Sequence, residues 1–238
     1  MNDIKNKVAY ITGGSKGIGL GVAKALLDKG MRVAITSRTL QAAQEAAKTL
    51  STDSSRVFAL ESDVSDMASE KKAVHAVIKH FGQLDVVVAN AGVGHLVSFE
   101  DLSEAQWKET IDTNLTGVFN TVKSSLDALK ASKGYVITIA SLAGTNFFEK
   151  GTAYNASKFG LVGFSQALML DIRKYGIKVT TIMPGSVATA FGDHQVTEKD
   201  AWKIQPEDIG EMVVGLLEMN PRTLPSKIEV RPAVPGKG

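Results

Sequence analysis

Along most of the chain, short unbroken apolar runs rich in Val and Ile alternate with longer stretches in which apolar residues recur every three to four positions. A short unbroken run fits a strand buried on both faces, and the longer period fits a helix with one face on that sheet. The strands predicted in this way are Val8–Thr12, Arg32–Ser37, Val57–Leu60, Asp85–Asn90, Tyr135–Ala140, Lys178–Met183 and Lys227–Val230. Helices are predicted over Ile18–Lys29, Leu40–Ser51, Asp66–His80, Glu104–Ala131, Ala153–Tyr175 and Pro206–Met219. The Ser103-Glu104-Ala105-Gln106 run reads as a capping box for the fourth helix, and Pro206 suits the first turn of the last. Strands alternating with helices predict an α/β protein of three layers, doubly wound around a seven-stranded parallel sheet.

Two segments break the alternation: Leu142–Thr152 and Ser186–Gln205 are long connections after strands in the second half. Long loops in compact domains are commonly functional, so 142–152 and 186–205 are expected to carry the substrate contacts. No repeat or linker divides the chain, and residues 1–238 are expected to form one domain. The tail Arg231–Gly238, with two Pro and two Gly, is expected to fray.

Composition narrows the chemistry. The chain has no Cys, which excludes disulfides and thiolate metal ligands, and its 4 His lack HxxxH or HExxH spacing, so no metal site is expected. A balance of 27 basic and 25 acidic residues leaves a net charge of +2, too small to hold a nucleic-acid backbone. Met1 to Lys7 has no signal-peptide apolar segment, and no stretch reaches the ~20 apolar residues that span a bilayer. The expectation is a cytoplasmic protein with neither nucleic-acid nor membrane partners.

The first strand runs into Thr12-Gly13-Gly14-Ser15-Lys16-Gly17-Ile18-Gly19, directly before the first helix. Residues without Cβ let a pyrophosphate approach backbone N–H groups at a helix N-terminus, and this placement points to a dinucleotide. The second strand ends in Thr36-Ser37-Arg38-Thr39, without the carboxylate that would take a ribose 2′-hydroxyl. Arg38 can instead hold a 2′-phosphate, with Ser37 donating and Lys16 adding charge, so the expected cofactor is NADP(H).

With these motifs the chain resembles the classical short-chain dehydrogenase/reductases over nearly its whole length. Thr12-Gly13-Gly14-Ser15-Lys16-Gly17-Ile18-Gly19 resembles that family's cofactor turn, with Gly13, Ser15, Lys16, Gly17, Ile18 and Gly19 at the cofactor, Asp63-Val64 resembles its adenine-contacting pair, and Asn90-Ala91-Gly92-Val93 matches its signature at the end of strand four. Asn114, Ser141, Tyr154 and Lys158 stand where its catalytic tetrad would, with Tyr154 and Lys158 also beside the cofactor. Pro184-Gly185, Val187 and Thr189 resemble the segment that closes over the nicotinamide. The resemblance implies a Rossmann fold, nicotinamide chemistry on a small-molecule carbonyl or alcohol, and commonly a homotetramer. It also implies that Asn114 orders a water relaying protons to the lysine.

The tetrad makes chemical sense residue by residue. Tyr154 and Lys158, four apart in a helical pattern, project from one face. An ammonium ~5 Å from a phenolate, at an effective dielectric of ~20, stabilises it by roughly 3 kcal/mol, which predicts a phenol pKa below its ordinary value. Ser141 can donate to the same substrate oxygen. Asn114 lies inside the long helical pattern, where Asn is a poor helix former and needs a reason.

Candidate substrate walls are His95, Leu96, Phe147, Phe148, Met183 and the segment from Phe191 to His194, a mostly apolar set that suits an aromatic or aliphatic ketone or aldehyde. The helix Ala153–Ile172 is apolar nearly all round. One face is expected on the sheet and another on a partner, with Trp107, Ile111, Val118, Val122 and Leu129 contributing to a homodimer or homotetramer. The function expected is NADPH-dependent carbonyl reduction, reversible as alcohol oxidation. A 3-oxoacyl-thioester (acyl-carrier-protein) reductase is one alternative, weakened by an Ile228–Pro232 ending that is not Gly-rich. A noncatalytic NADPH sensor is another, weakened by the intact Ser141, Tyr154 and Lys158.

Overall fold

The computed structural model describes residues 3–234; of the tail expected to fray, 235–238 lies outside the described residues. Seven strands form one sheet: β1 (Val8–Ile11), β2 (Arg32–Ser37), β3 (Val57–Glu61), β4 (Val86–Ala89), β5 (Tyr135–Ile139), β6 (Lys178–Pro184) and β7 (Lys227–Val230). Their order is β3-β2-β1-β4-β5-β6-β7, with every pairing parallel. All four residues of β1 and of β4 are buried, as expected of central strands covered on both faces.

The helices are α1 (Gly17–Asp28), α2 (Leu40–Leu50), α3 (Met67–Phe81), α4 (Glu104–Ile111), α5 (Gly117–Ser132), α6 (Thr152–Ile172) and α7 (Pro206–Glu218). Val22, Leu26 and Leu27 of α1, Ala46 of α2 and Ile209, Val213 and Leu217 of α7 build the core on one face of the sheet. Val74 and Val77 of α3, Val118, Val122 and Leu129 of α5, and Leu161 and Ile172 of α6 build the core on the other. This is the doubly wound, three-layer Rossmann architecture. Strand order reverses between β1 and β4, and the crevice beyond the carboxyl ends of the strands there is where such sheets bind ligands.

One predicted helix is two. The stretch expected as Glu104–Ala131 is broken at Asp112–Thr116 by a π turn, between α4 and α5. The apolar period continues through the break, whose one local mark is the poor helix former Asn114; the cause is tertiary, since Asn114 in its middle bonds to Val93 beyond β4. The expected partner face changes as well. Val118, Val122 and Leu129 fall on one stripe of α5 and lie in the core, whereas Trp107, Phe119, Phe159 and Leu170 on the outer side remain 36% to 55% exposed. The helix expected as Ala153–Tyr175 ends its α-helical part at Ile172, and a 3₁₀ turn at Arg173–Tyr175 leads into Gly176 at φ +79.

Candidate active site

The glycine turn sits at the carboxyl end of β1, beside the crossover. Gly13 (φ +63) and Gly17 (φ +55) adopt left-handed backbone, and a Cβ at Gly19 would come 2.5 Å from Gly13 O, so the turn can close only without side chains. Thr39, Asp66 and Ser103 cap α2, α3 and α4 with their side chains, but no side chain caps α1 and no acid occupies its first turn. Its first amides, beginning at Gly17 and Ile18, are therefore free of side-chain acceptors and fit a pyrophosphate. The turn is bolted to β4: Thr12 Oγ1 accepts from the amides of Asn90 (3.0 Å) and Ala91 (3.1 Å), and Asn90 Nδ2 donates to the carbonyls of Thr12 (3.0 Å) and Gly13 (3.1 Å).

On the β2 side, Arg38 is largely exposed and forms an ion pair with Glu109 of α4 at 3.6 Å. Lys16 is exposed, while Ser15 and Ser37 are half-buried. Asp63 folds its carboxylate back on its own turn, accepting from the Ser65 amide (2.9 Å) and hydroxyl (2.7 Å), and Val64 is buried. Asn120 Nδ2 of α5 donates to the carbonyls of Val64 (2.9 Å) and Ser65 (3.1 Å), fixing this loop beside the cleft.

Beyond the crossover the four tetrad residues converge from β5, the π turn and α6. Asn114 makes a two-way bond with Val93, Oδ1 accepting from its amide and Nδ2 donating to its carbonyl, both at 2.8 Å, and Nδ2 also reaches Ser157 Oγ at 3.0 Å. Lys158 is 4% exposed and donates through Nζ to Ile139 O at 3.0 Å. Burial lowers its pKa to about 8. Ser141 follows β5, its Oγ accepting from the Ala143 amide at 3.1 Å.

The direction expected for Tyr154 is reversed. Burial pushes its phenol above the ordinary value of 10.0, against a smaller opposing pull from Ser141. Lys158 lies 5.6 Å from the Tyr154 ring centroid, but its Nζ bonds to a backbone carbonyl and is itself desolvated. Desolvation is the larger influence on the phenol, and it keeps its proton at neutral pH.

A sequence profile of the short chain dehydrogenase family matches residues 7–200. The chain belongs to this family. It is 31% identical over 237 residues to an uncharacterized oxidoreductase of Staphylococcus saprophyticus, covering 98% of this chain and 100% of that one. It is also 31% identical to a glycine betaine reductase of Emericella nidulans, over 96% of this chain but only 19% of that much longer protein. Among solved structures, an alcohol dehydrogenase from Thermococcus sibiricus complexed with 5-hydroxy-NADP superposes with a TM-score of 0.90 at 31% identity, covering 96% of this chain and 97% of that one. A metagenomic short-chain oxidoreductase in complex with NADP gives 0.85 at 29% identity, covering 98% and 100%.

In this short-chain dehydrogenase the expected substrate walls separate into two groups. Phe148 and Phe191 flank Tyr154, their ring centroids 6.4 Å and 5.4 Å from its own. Phe191 packs so closely on Gly94 that a Cβ there would lie 2.5 Å from its ring. Phe147 turns the other way: it stacks on Phe159 at 5.1 Å on the outer side of α6 and is 82% exposed, because adjacent loop residues point to opposite sides. Met183, expected at the wall, is buried in the core beneath the sheet. His95 reaches Glu109 at 2.8 Å, and Leu96 is exposed.

The segment after β6 folds back on itself. Gly185 donates to Val230 O at 2.7 Å, Val187 bridges to Ile204, and Ala188 donates to Ile204 O at 2.9 Å. Thr189 meets the glycine turn, its methyl 3.2 Å from where a Cβ of Gly17 would stand. Asp200 anchors the segment, contacting Lys203 at 2.6 Å, the Thr197 amide at 2.9 Å and His194 at 2.9 Å. These donors, Lys203 first, hold its carboxyl well below the usual carboxylate range.

Thr12, first residue of the motif read as the cofactor turn, locks that turn, a role the sequence did not assign it, and three residues that matter to the site were not among the candidates. Asn120 holds the Val64 loop, Glu109 links Arg38 to His95, and Asn155 donates to Ala143 O and Asn146 O, both at 2.7 Å, to tether the 142–152 loop. Asn155 had a signal, being an amide inside an otherwise apolar helix pattern. Glu109 had none, because a Glu on an amphipathic helix looks like any solvated residue.

Proposed function

We propose that the protein is an NADP(H)-dependent oxidoreductase that moves hydride between a nicotinamide and a carbonyl or secondary alcohol. The observation that carries this reading is a buried Lys158 and a protonated Tyr154 on one face of α6, beside Ser141 at the end of β5 and across the crossover from an uncapped glycine turn. The NADP-bound state of two similar solved proteins supports the choice of cofactor, as does Arg38 standing where a carboxylate would select NAD(H). Arg38, Ser37 and Lys16 would hold the 2′-phosphate, the amides of the glycine turn the pyrophosphate, Val64 and Ala91 the adenine surroundings, and the segment from Pro184 to Thr189 the nicotinamide end.

The cofactor supplies or accepts the hydride. In reduction Tyr154 donates its phenolic proton to the substrate oxygen as charge develops there, and Ser141 donates a second hydrogen bond to the same oxygen. Lys158, charged below about pH 8, favours the phenolate that remains. Phe148 and Phe191, with His95 at the rim, enclose an apolar substrate and exclude water. The exposed Trp107, Phe119, Phe159 and Leu170 support a homodimer or homotetramer.

A panel of aromatic and aliphatic ketones, aldehydes and 3-oxoacyl thioesters, followed by NADPH absorbance, tests the reading. Tyr154→Phe is expected to lower kcat about 10²–10⁴-fold while leaving NADPH affinity within about twofold. Full turnover by this variant would overturn the assignment of the proton donor, and NADPH binding without turnover of any carbonyl would favour a sensor.

A further inference from the structure

Glu109 joins two loops that leave the sheet on opposite sides of the glycine turn. Its Oε1 lies 3.6 Å from Arg38 Nη1, just beyond β2, and its Oε2 lies 2.8 Å from His95 Nε2, beyond β4. In the strand order β2-β1-β4, the turn leaving β1 lies between those two loops. The carboxylate therefore straddles the crevice in which a dinucleotide would lie, and its two partners are the residue proposed for the 2′-phosphate and a residue of the substrate rim. Arg38 is 75% exposed at its side chain and Glu109 43%, so this contact rests on charge and can exchange at little cost in packing.

We propose that Glu109 is a specificity-determining residue that competes with the cofactor's 2′-phosphate for Arg38. This rests on the assignment of Arg38 above. A phosphate dianion takes the guanidinium more strongly than a single carboxylate does, so NADP(H) draws Arg38 from Glu109, whereas NAD(H) offers Arg38 no 2′-phosphate in place of the carboxylate. The displaced carboxylate then keeps His95 as its one partner at the substrate end, and its negative charge beside the phosphate speeds release of spent cofactor. Glu109 thus weakens NADP(H) binding selectively and couples the occupancy of the 2′ site to the position of His95.

The test is titration calorimetry of wild type and Glu109→Gln with NADP⁺, NAD⁺ and 2′,5′-ADP, with the His95 ring resonance followed by NMR. The variant is expected to bind NADP⁺ and 2′,5′-ADP about 3- to 10-fold more tightly, the gain shrinking with added salt, and to leave NAD⁺ unchanged. Adding 2′,5′-ADP to wild type is expected to shift the His95 resonance, and adding 5′-ADP is not. An equal change for NADP⁺ and NAD⁺, or no change for either, overturns the proposal. Failure of the underlying reading has a different signature: wild type and Arg38→Ala would show the same NADP⁺ to NAD⁺ affinity ratio.

Discussion

Around the glycine turn, side chains without charge spend their hydrogen bonds on backbone: Thr12, Asn90 and Asn120 between them meet amides and carbonyls of three loops. Around Tyr154 the rim is made of aromatic rings on loops that Asn155 and Asp200 anchor, and the rings meet their neighbours through apolar contact alone. The first arrangement sets backbone positions, as a ligand common to many relatives requires. The second sets only a shape and an apolar character, which single substitutions can change without disturbing the reaction centre.

The comparison breaks if the interlocked end tolerates loss of its bolts. Thr12→Val keeps the side-chain shape but leaves the Asn90 and Ala91 amides without their acceptor. We expect a loss of about 2–4 kcal/mol in unfolding free energy, read as a Tm lower by roughly 5–10 °C. An unchanged Tm would mean that the turn is held by something other than these bonds. Arg38→Asp tests the same end without touching its backbone: the NADPH KM should rise about 10- to 100-fold and that for NADH should fall. Equal NADPH values in both proteins would remove Arg38 from the cofactor site.

At the other end, pH separates Tyr154 from Lys158. Burial disfavours the ammonium of Lys158, so it loses its proton as pH rises past about 8, while Tyr154, shifted upward, stays protonated. Reductive kcat/KM is therefore expected to be level between about pH 6 and 7 and to decline above about 8, whereas alcohol oxidation, which needs the phenolate, rises with pH. A reductive profile level up to pH 10 would show that the Lys158 charge does not contribute. The smallest effect distinguishes the neighbouring aromatics. Phe148→Ala should alter the preference among ketones by roughly 5- to 10-fold, the lower end of the ~1–3 kcal/mol scale for changes in an apolar pocket, and Phe147→Ala should leave it unchanged.

Periodicity made the layer architecture legible, because strands covered on both faces and helices covered on one leave different repeats in the chain. The glycine turn and the spacing from Tyr154 to Lys158 were legible for the same reason, each being a local pattern with a local geometric consequence. What the chain did not disclose depends on partners far away in sequence. The π turn exists through Asn114 meeting Val93, the divergence of Phe147 from Phe148 through the loop's path over α6, and the upward shift at Tyr154 through the burial that packing imposes. Charge alone suggested that Lys158 would dominate the phenol; the enclosure of both groups decides otherwise.

The π turn at Asp112–Thr116 is also a phase adjuster. An α-helix advances about 100° per residue, so the one residue that a π turn adds rotates everything after it by roughly that angle relative to what came before. Upstream, Trp107 remains on the outside; downstream, Val118, Val122 and Leu129 meet the sheet. Straightening these five residues into regular helix with none removed would swing that apolar stripe off the core, whereas deleting one of them would restore regular helix with the stripe in place and lose the turn that carries Asn114 to Val93; the extra residue serves the position of Asn114 rather than the packing of α5.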